Sequence, residues 1–218
     1  MERGALTADL VGDVGGTNIR LALVERGSSA VGERWSRPCD DFENLDQAIG
    51  AFLQTRRENP VRACIAVAGP VANGSATLTN RPWRVSEEGL RGLGFLAAHV
   101  VNDFVVLAFG APALGSAQTW LVGPDRPSRP DQPLAVLGPG TGFGAGVLVP
   151  GSRGSAAVAT EAGHIAFAPT TTLEEQVAAC VAKRHGRTSI ERILSGPGLA
   201  NLHHALGEID GRAIPPLV

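Results

Sequence analysis

Ala8 to Glu25 reads ADLVGDVGGTNIRLALVE: an apolar run, a turn of small residues (Asp13-Val14-Gly15-Gly16-Thr17-Asn18), then Ile19, Leu21 and Leu23 alternating with Arg20 and Ala22. Apolar run, glycine turn and alternation predict a strand, a tight turn and a second strand. The residues after the turn distinguish one glycine motif from another. A Rossmann or P-loop turn opens a helix, and the P-loop ends in Gly-Lys-Ser/Thr; here a strand pattern comes next and no lysine is present. Both of those folds are disfavoured. Successive small residues let backbone N–H groups approach a ligand, and such a nest favours anions, phosphate above all. Taken alone, the segment is read equally well as a plain β-hairpin with an incidental aspartate.

The same plan recurs in Leu134 to Val149, LAVLGPGTGFGAGVLV, where Gly138-Pro139-Gly140-Thr141-Gly142-Phe143-Gly144 separates two apolar strands. A second hairpin of this kind weighs against coincidence. Between the two, Asp41 to Arg57 places Phe42, Leu45, Ile49, Phe52 and Leu53 at helical spacing, and Val61 to Ala68 is a short β-branched run ending in Gly69-Pro70. A small hairpin is expected around Asn73-Gly74, a helix over Ser86 to Leu93, and a strand over Leu96 to Val101 that ends in Asn102-Asp103 and leads into a helix reaching Pro112. Gly123 to Pro133 is proline-rich and charged, the composition of an exposed connection. Helices are expected over Glu174 to His185, Thr188 to Leu194 and Leu199 to Leu206, the last with Leu199, Leu202 and Leu206 on one face. Strands interleaved with helices define the α/β class.

Composition narrows the function. The 218 residues carry 19 basic and 21 acidic side chains, a net charge of −2, so binding to a nucleic-acid backbone has no electrostatic support. Gly 28 and Pro 15 make about a fifth of the chain without periodicity, which fits a turn-rich globular protein. Cys39, Cys64 and Cys180 lie far apart with no CxxC pair, so neither a disulfide framework nor a thiolate metal site is indicated. No run approaches the roughly 18 uninterrupted apolar residues of a membrane helix. A cytoplasmic protein, with no membrane or nucleic-acid partner, is expected.

DVGGTNIRLALV, LTNRPW, VVNDF, LGPGTGFGAG, EAGHIAFAP and SIERILSGPGLANL, in that order, resemble bacterial glucokinases of the hexokinase–actin–Hsp70 superfamily, and the resemblance runs from Asp9 to about Leu206. It implies the actin-like, ribonuclease H-like ATPase fold: two α/β domains around a cleft, here divided as residues 1–113 and 114–218. It also implies ATP and glucose as substrates, Mg²⁺ on the phosphates, and a homodimer. Asp13 is then expected beside the phosphates and Mg²⁺, with Gly15, Gly16, Thr17 and Asn18 in the first phosphate hairpin and Gly140, Thr141 and Gly142 in the second.

Phosphoryl transfer needs alignment, charge neutralisation and a carboxylate to accept the proton of the attacking hydroxyl. Asp103 matches that base, at the end of the apolar run LAAHVVN where open α/β sheets place ligand groups. On local chemistry it reads equally as a helix N-cap. Asn102, Glu161, His164 and Glu191 match the family's sugar-binding set, with Asn80 of LTNRPW as a further member; carboxylate, amide and imidazole groups suit a polyol. His164 alone reads more simply as a structural histidine and Glu161 as a surface residue. Glu191 has a rival role, since Thr188-Ser189-Ile190-Glu191 is a capping box in which it would only close a helix.

The related zinc-containing sugar kinases and repressors share an E-x-G-H element but continue it with a cysteine cluster, whereas only Cys180 comes after His164 here, so no structural zinc is expected. Bacterial glucokinases also continue past the last matched motif into an adenosine-binding glycine motif and further core helices. The resemblance therefore implies an incomplete second domain with an uncovered apolar face. Two functions are expected from it: ATP-dependent phosphorylation of glucose with Asp103 as base, or sugar binding by a catalytically incomplete fragment or sensor of the same fold.

Overall fold

The opening segment forms the expected hairpin. Strand β1 (Ala8–Val14) pairs antiparallel with β2 (Asn18–Glu25), with Val14 opposite Ile19 at the closed end. The structure is a computed structural model that describes residues 8–28, 30–78, 81–124 and 129–212. The chain divides into two compact units, Met1–Val106 and Leu107–Val218.

In the first unit, the chain continues through β3 (Trp35–Pro38), α1 (Leu45–Gln54), β4 (Arg62–Val67), β5 (Ser75–Thr77), β6 (Arg84–Ser86), α2 (Glu87–Gly92) and β7 (Ala97–Asn102). Helix α3 (Asp103–Gly110) begins directly after β7. The main sheet has five strands in the order β3-β2-β1-β4-β7, with β1, β4 and β7 parallel. Leu10, Val14, Ile19, Leu21, Ile65 and Val67 of the sheet meet Ile49, Phe52 and Leu90 in one buried cluster. Helix α1 buries Leu45, Ala48, Ile49 and Phe52, the i, i+3, i+4, i+7 stripe of an amphipathic helix, and the Asn44 side chain caps it by accepting from the Gln47 N–H. The turn expected at Asn73-Gly74 is present: both residues have positive φ (52° and 68°), and Ala72 and Ser75 exchange backbone hydrogen bonds across it. This is the mirror-image turn that Asn-Gly favours.

Register fixes what the first unit presents. Val14, Val67 and Asn102 stand side by side at the carboxyl ends of β1, β4 and β7. The Gly15-Gly16-Thr17 turn and the Asn102-Asp103 pair therefore leave the same sheet edge, two strand spacings or roughly 10 Å apart.

The second unit holds a three-stranded antiparallel sheet, β8 (Leu134–Pro139), β9 (Phe143–Val149) and β10 (Ala156–Thr160), in the order β10-β9-β8. Two helices, α4 (Thr172–His185) and α5 (Gly196–Ile209), pack Val177, Cys180 and Val181 against Ala205, Leu202 and Ile209, with Ile193 and Phe167 completing the cluster. Leu137, Val158, Ile165, Leu173, Leu194 and Leu199 of this unit are exposed. Among the described residues no helix is long and apolar enough to cross a membrane.

Two expectations fail. Thr188 to Leu194 is not a helix but a run of turns, in which Ser189 bridges to Ala166 and the Phe167 N–H donates to the Thr188 carbonyl. Tertiary pairing takes the backbone groups that a helix would have used. Helix α5 buries Ala205 and partly buries Leu202 and Ile209; of the leucine face expected of it only Leu202 packs inward, and Leu199 and Leu206 are exposed.

Candidate active site

In the first unit the glycine turn is tied from one side. The Gly15 N–H donates to the Asn18 carbonyl (3.0 Å), closing the hairpin. The Gly15 carbonyl accepts from the Cys39 thiol (3.6 Å), the Gly16 carbonyl from Arg81 Nε (3.3 Å), and the Thr17 carbonyl from the Cys39 N–H (2.8 Å). Among the described residues neither the Gly16 nor the Thr17 N–H donates a hydrogen bond. Two free amides on a glycine turn are the donor set of an anion nest. Asp13 lies opposite Arg20 in the β1–β2 ladder, and the two side chains pair at 2.7 Å while both stay largely exposed.

Asn102 and Asp103 join β7 to α3. The Asn102 amide oxygen accepts from the Phe104 and Val105 N–H groups, capping the helix, while its Nδ2 donates to the Gly69 carbonyl and to Asp103 Oδ1 (3.0 Å each). Both halves of that amide are thus engaged within the protein. Asp103 Oδ1 also accepts from the Phe104 N–H (2.9 Å); Oδ2 takes no hydrogen bond from another described residue. Burial pushes the Asp103 carboxyl above the usual aspartate range; the Phe104 N–H opposes the shift and the charge of Asp13 adds to it. A desolvated carboxyl with one free oxygen is suited to accepting a proton.

In the second unit, Glu161 and His164 bracket a single 3₁₀ turn, Ala162–His164. Residues three apart eclipse in a 3₁₀ turn. His164 Nε2 accordingly stands 3.7 Å from Glu161 Oε2, with both side chains exposed. Glu191 does not close a helix. Its Oε2 accepts from the Phe143 N–H (3.0 Å), at the end of the second glycine turn, and its own N–H donates to the Gly163 carbonyl (2.9 Å). The Glu191 carboxylate lies where a Gly142 side chain would stand, and Gly163 packs on the Phe143 carbonyl so closely that any side chain there would overlap it. Glu191 therefore joins the Gly140-Thr141-Gly142 turn to the Glu161–His164 turn, an arrangement that the local capping-box pattern did not reveal. The Gly140 carbonyl accepts from the Gly196 N–H (2.8 Å), which fastens the same turn to the start of α5. Glu191→Leu, which removes the acceptor for Phe143, is expected to cost the second unit about 1 kcal/mol in thermal or denaturant unfolding, and Glu191→Gln, which keeps an acceptor, much less. Asn80 lies outside the described residues.

The five-stranded sheet with its edge of ligand-ready groups, and the glycine hairpin that repeats in the second unit, define an α/β protein of the actin-like ATPase fold. A profile of the glucokinase family matches residues 10–216. The chain belongs to that family. It is 45% identical over 210 residues to a glucokinase of Marinobacter nauticus, covering 94% of this chain and 64% of that protein. It superimposes on the crystal structure of a glucokinase from an Antarctic psychrotroph with a TM-score of 0.84 at 36% identity, covering 97% of this chain and 67% of that one. The glucokinase of Balamuthia mandrillaris, solved in complex with glucose, shares the fold at a TM-score of 0.69 and 21% identity, covering 97% of this chain and 65% of that one. The chain thus spans about 64% of the length of the curated relatives it matches.

Proposed function

We propose that the chain carries the chemistry of an ATP-dependent glucose kinase, transferring the γ-phosphoryl group to the sugar 6-hydroxyl. The observation that supports this most is the shared sheet edge: a glycine turn with two amides, and a desolvated Asp103 with one oxygen, that have no partner among the described residues. In this reading Asp103 Oδ2 accepts the hydroxyl proton as the sugar oxygen forms its bond to phosphorus and the bond to the departing ADP oxygen breaks. Asn102 holds Oδ1, which leaves Oδ2 to take the proton.

Gly15, Gly16, Thr17 and Asn18 form the first phosphate turn and Gly140, Thr141 and Gly142 the second. Asn102, whose amide is engaged within the protein, serves the sugar through its hold on Asp103, while Glu161, His164 and Glu191 of the second unit, and Asn80, supply the sugar contacts. Glu191 would do so while keeping its hold on the second turn. Among the described residues no three His, Cys, Asp or Glu side chains form a protein-only metal site. Mg²⁺ held mainly by phosphate oxygens needs only one or two carboxylates, which Asp13 fits, and when bound it would neutralise phosphate charge. The unpaired state of Cys39, Cys64 and Cys180 and the near-balanced charge support a cytoplasmic protein with no nucleic-acid partner.

The pH profile tests the reading. The base must be ionised, and the Asp103 carboxyl is raised, so activity is lost as pH falls through its folded value. The acid limb of kcat/KM is expected to lie above the ordinary aspartate value of about 3.9 and to vanish from the residual activity of Asp103→Asn. An acid limb at the ordinary value, or one that persists in the variant, would assign the base elsewhere.

A further inference from the structure

We propose that Arg81 and Cys39 are positioning residues for the first phosphate turn: by holding its three carbonyls on one side, they aim its amides at the anion on the other. The inference rests on reading that turn as a phosphate site. In a trans peptide the C=O and the following N–H point in opposite directions. Fixing the Gly15 carbonyl therefore aims the Gly16 N–H, and fixing the Gly16 carbonyl aims the Thr17 N–H. Among the described residues the three carbonyls are held by two, Cys39 through its thiol and its N–H, and Arg81 through Nε.

Those two residues are themselves fixed. Cys39 is fully buried, and burial pushes its thiol up, which keeps the S–H as a donor. The Arg81 side chain is only 16% exposed; its guanidinium donates to Asp40 (2.5 Å) and lies over the Trp83 ring, 5.2 Å from the centroid. A planar fork with one edge on a carbonyl and another on a carboxylate leaves its positive charge behind the turn, on the far side from the free amides. Preorganised N–H donors cost no reorientation when the anion arrives, and the cation behind them adds to their field. Arg81 directly follows Asn80 in the LTNRPW segment, yet on this geometry it serves the phosphates and not the sugar.

The test uses Arg81→Gln, Arg81→Lys and the unaltered protein, with inorganic tripolyphosphate and ATP as calorimetric probes and glucose as a control ligand. Arg81→Gln is expected to bind both phosphates about tenfold more weakly, the loss of one charge-assisted hydrogen bond, with glucose affinity and melting temperature little changed. Arg81→Lys, which keeps the charge and one donor, is expected to recover part of that loss. In turnover the effect should appear in KM for ATP and not in KM for glucose. Equal phosphate affinity in Arg81→Gln, or an equal loss of glucose and phosphate binding, would overturn the proposal, as would an unaltered protein that binds neither phosphate. If the unaltered protein binds tripolyphosphate with the expected Arg81 dependence but does not phosphorylate glucose, the kinase reading fails and this inference stands.

Discussion

Asp103→Asn is expected to lower turnover by roughly a hundred- to ten-thousand-fold, the usual contribution of a positioned general base. Glucose affinity should stay within a few-fold, because an asparagine oxygen at Oδ1 can still accept from the Asn102 amide and the Phe104 N–H. Folding stability gives a second readout with the opposite sign. The Asp103 carboxyl is raised by burial, so at neutral pH the ionised group carries a desolvation penalty that the variant lacks. The variant should therefore be at least as stable as the unaltered protein at neutral pH. That advantage should fade as pH falls through the raised folded value of Asp103 and be gone below the unfolded aspartate value of about 3.9, where the carboxyl is protonated in both states. A variant that lost activity and stability together at pH 7 would make Asp103 a structural helix-start residue; one that kept substantial turnover would remove it from the chemistry altogether.

Gly163→Ala is expected to be the most damaging single-carbon change in the second unit. The added carbon would overlap the Phe143 carbonyl oxygen and lie 3.2 Å from the Phe143 carbonyl carbon. Backbone in a strand cannot swing aside as a side chain can. Overpacking of this kind costs about 3 kcal/mol at the upper end of its usual range, and here the strain falls on the link between the second glycine turn and the Glu161–His164 turn. Gly12→Ala is the matched comparison. Its added carbon meets Ile65 Cδ1 and Leu21 Cδ2 at 2.8 Å, both far ends of flexible side chains, so a smaller loss is expected. Denaturant unfolding of the two variants measures the difference. If Gly163→Ala were as stable as the unaltered protein, the tight approach of the E-A-G-H segment to β9 would not exist in solution.

Most of the fold was legible where one physical signal sufficed. Ile19, Leu21 and Leu23 alternate because one face of β2 is buried, and Asn73-Gly74 marks its turn because those residues tolerate positive φ. Strand β3, with Trp35, an arginine and Pro38 in four residues, was not legible; an edge strand needs neither alternation nor every N–H. Strand β10, AAVAT, carries mostly small residues that give no periodic contrast.

The candidate site divides the same way. Asp103 and the two glycine turns stand at element ends, which the apolar runs before them locate. The behaviour of Glu191 depends on Phe143, 48 residues earlier, and a pattern confined to Thr188–Glu191 points instead to a helix cap that the tertiary contacts displace. The contacts of Arg81 and Cys39 with the first turn are likewise long-range, 65 and 24 residues apart in sequence, and no local motif announces them.

The most direct measurement is a calorimetric titration of the purified 218-residue chain with glucose, continued in the same cell with ATP and Mg²⁺ and completed by an assay for glucose 6-phosphate. Saturable glucose binding and then glucose-dependent formation of glucose 6-phosphate and ADP in equal amounts is the predicted result. Glucose binding with no product would contradict the proposed chemistry while leaving the sugar site in place, and absence of both would contradict the assignment of the site itself.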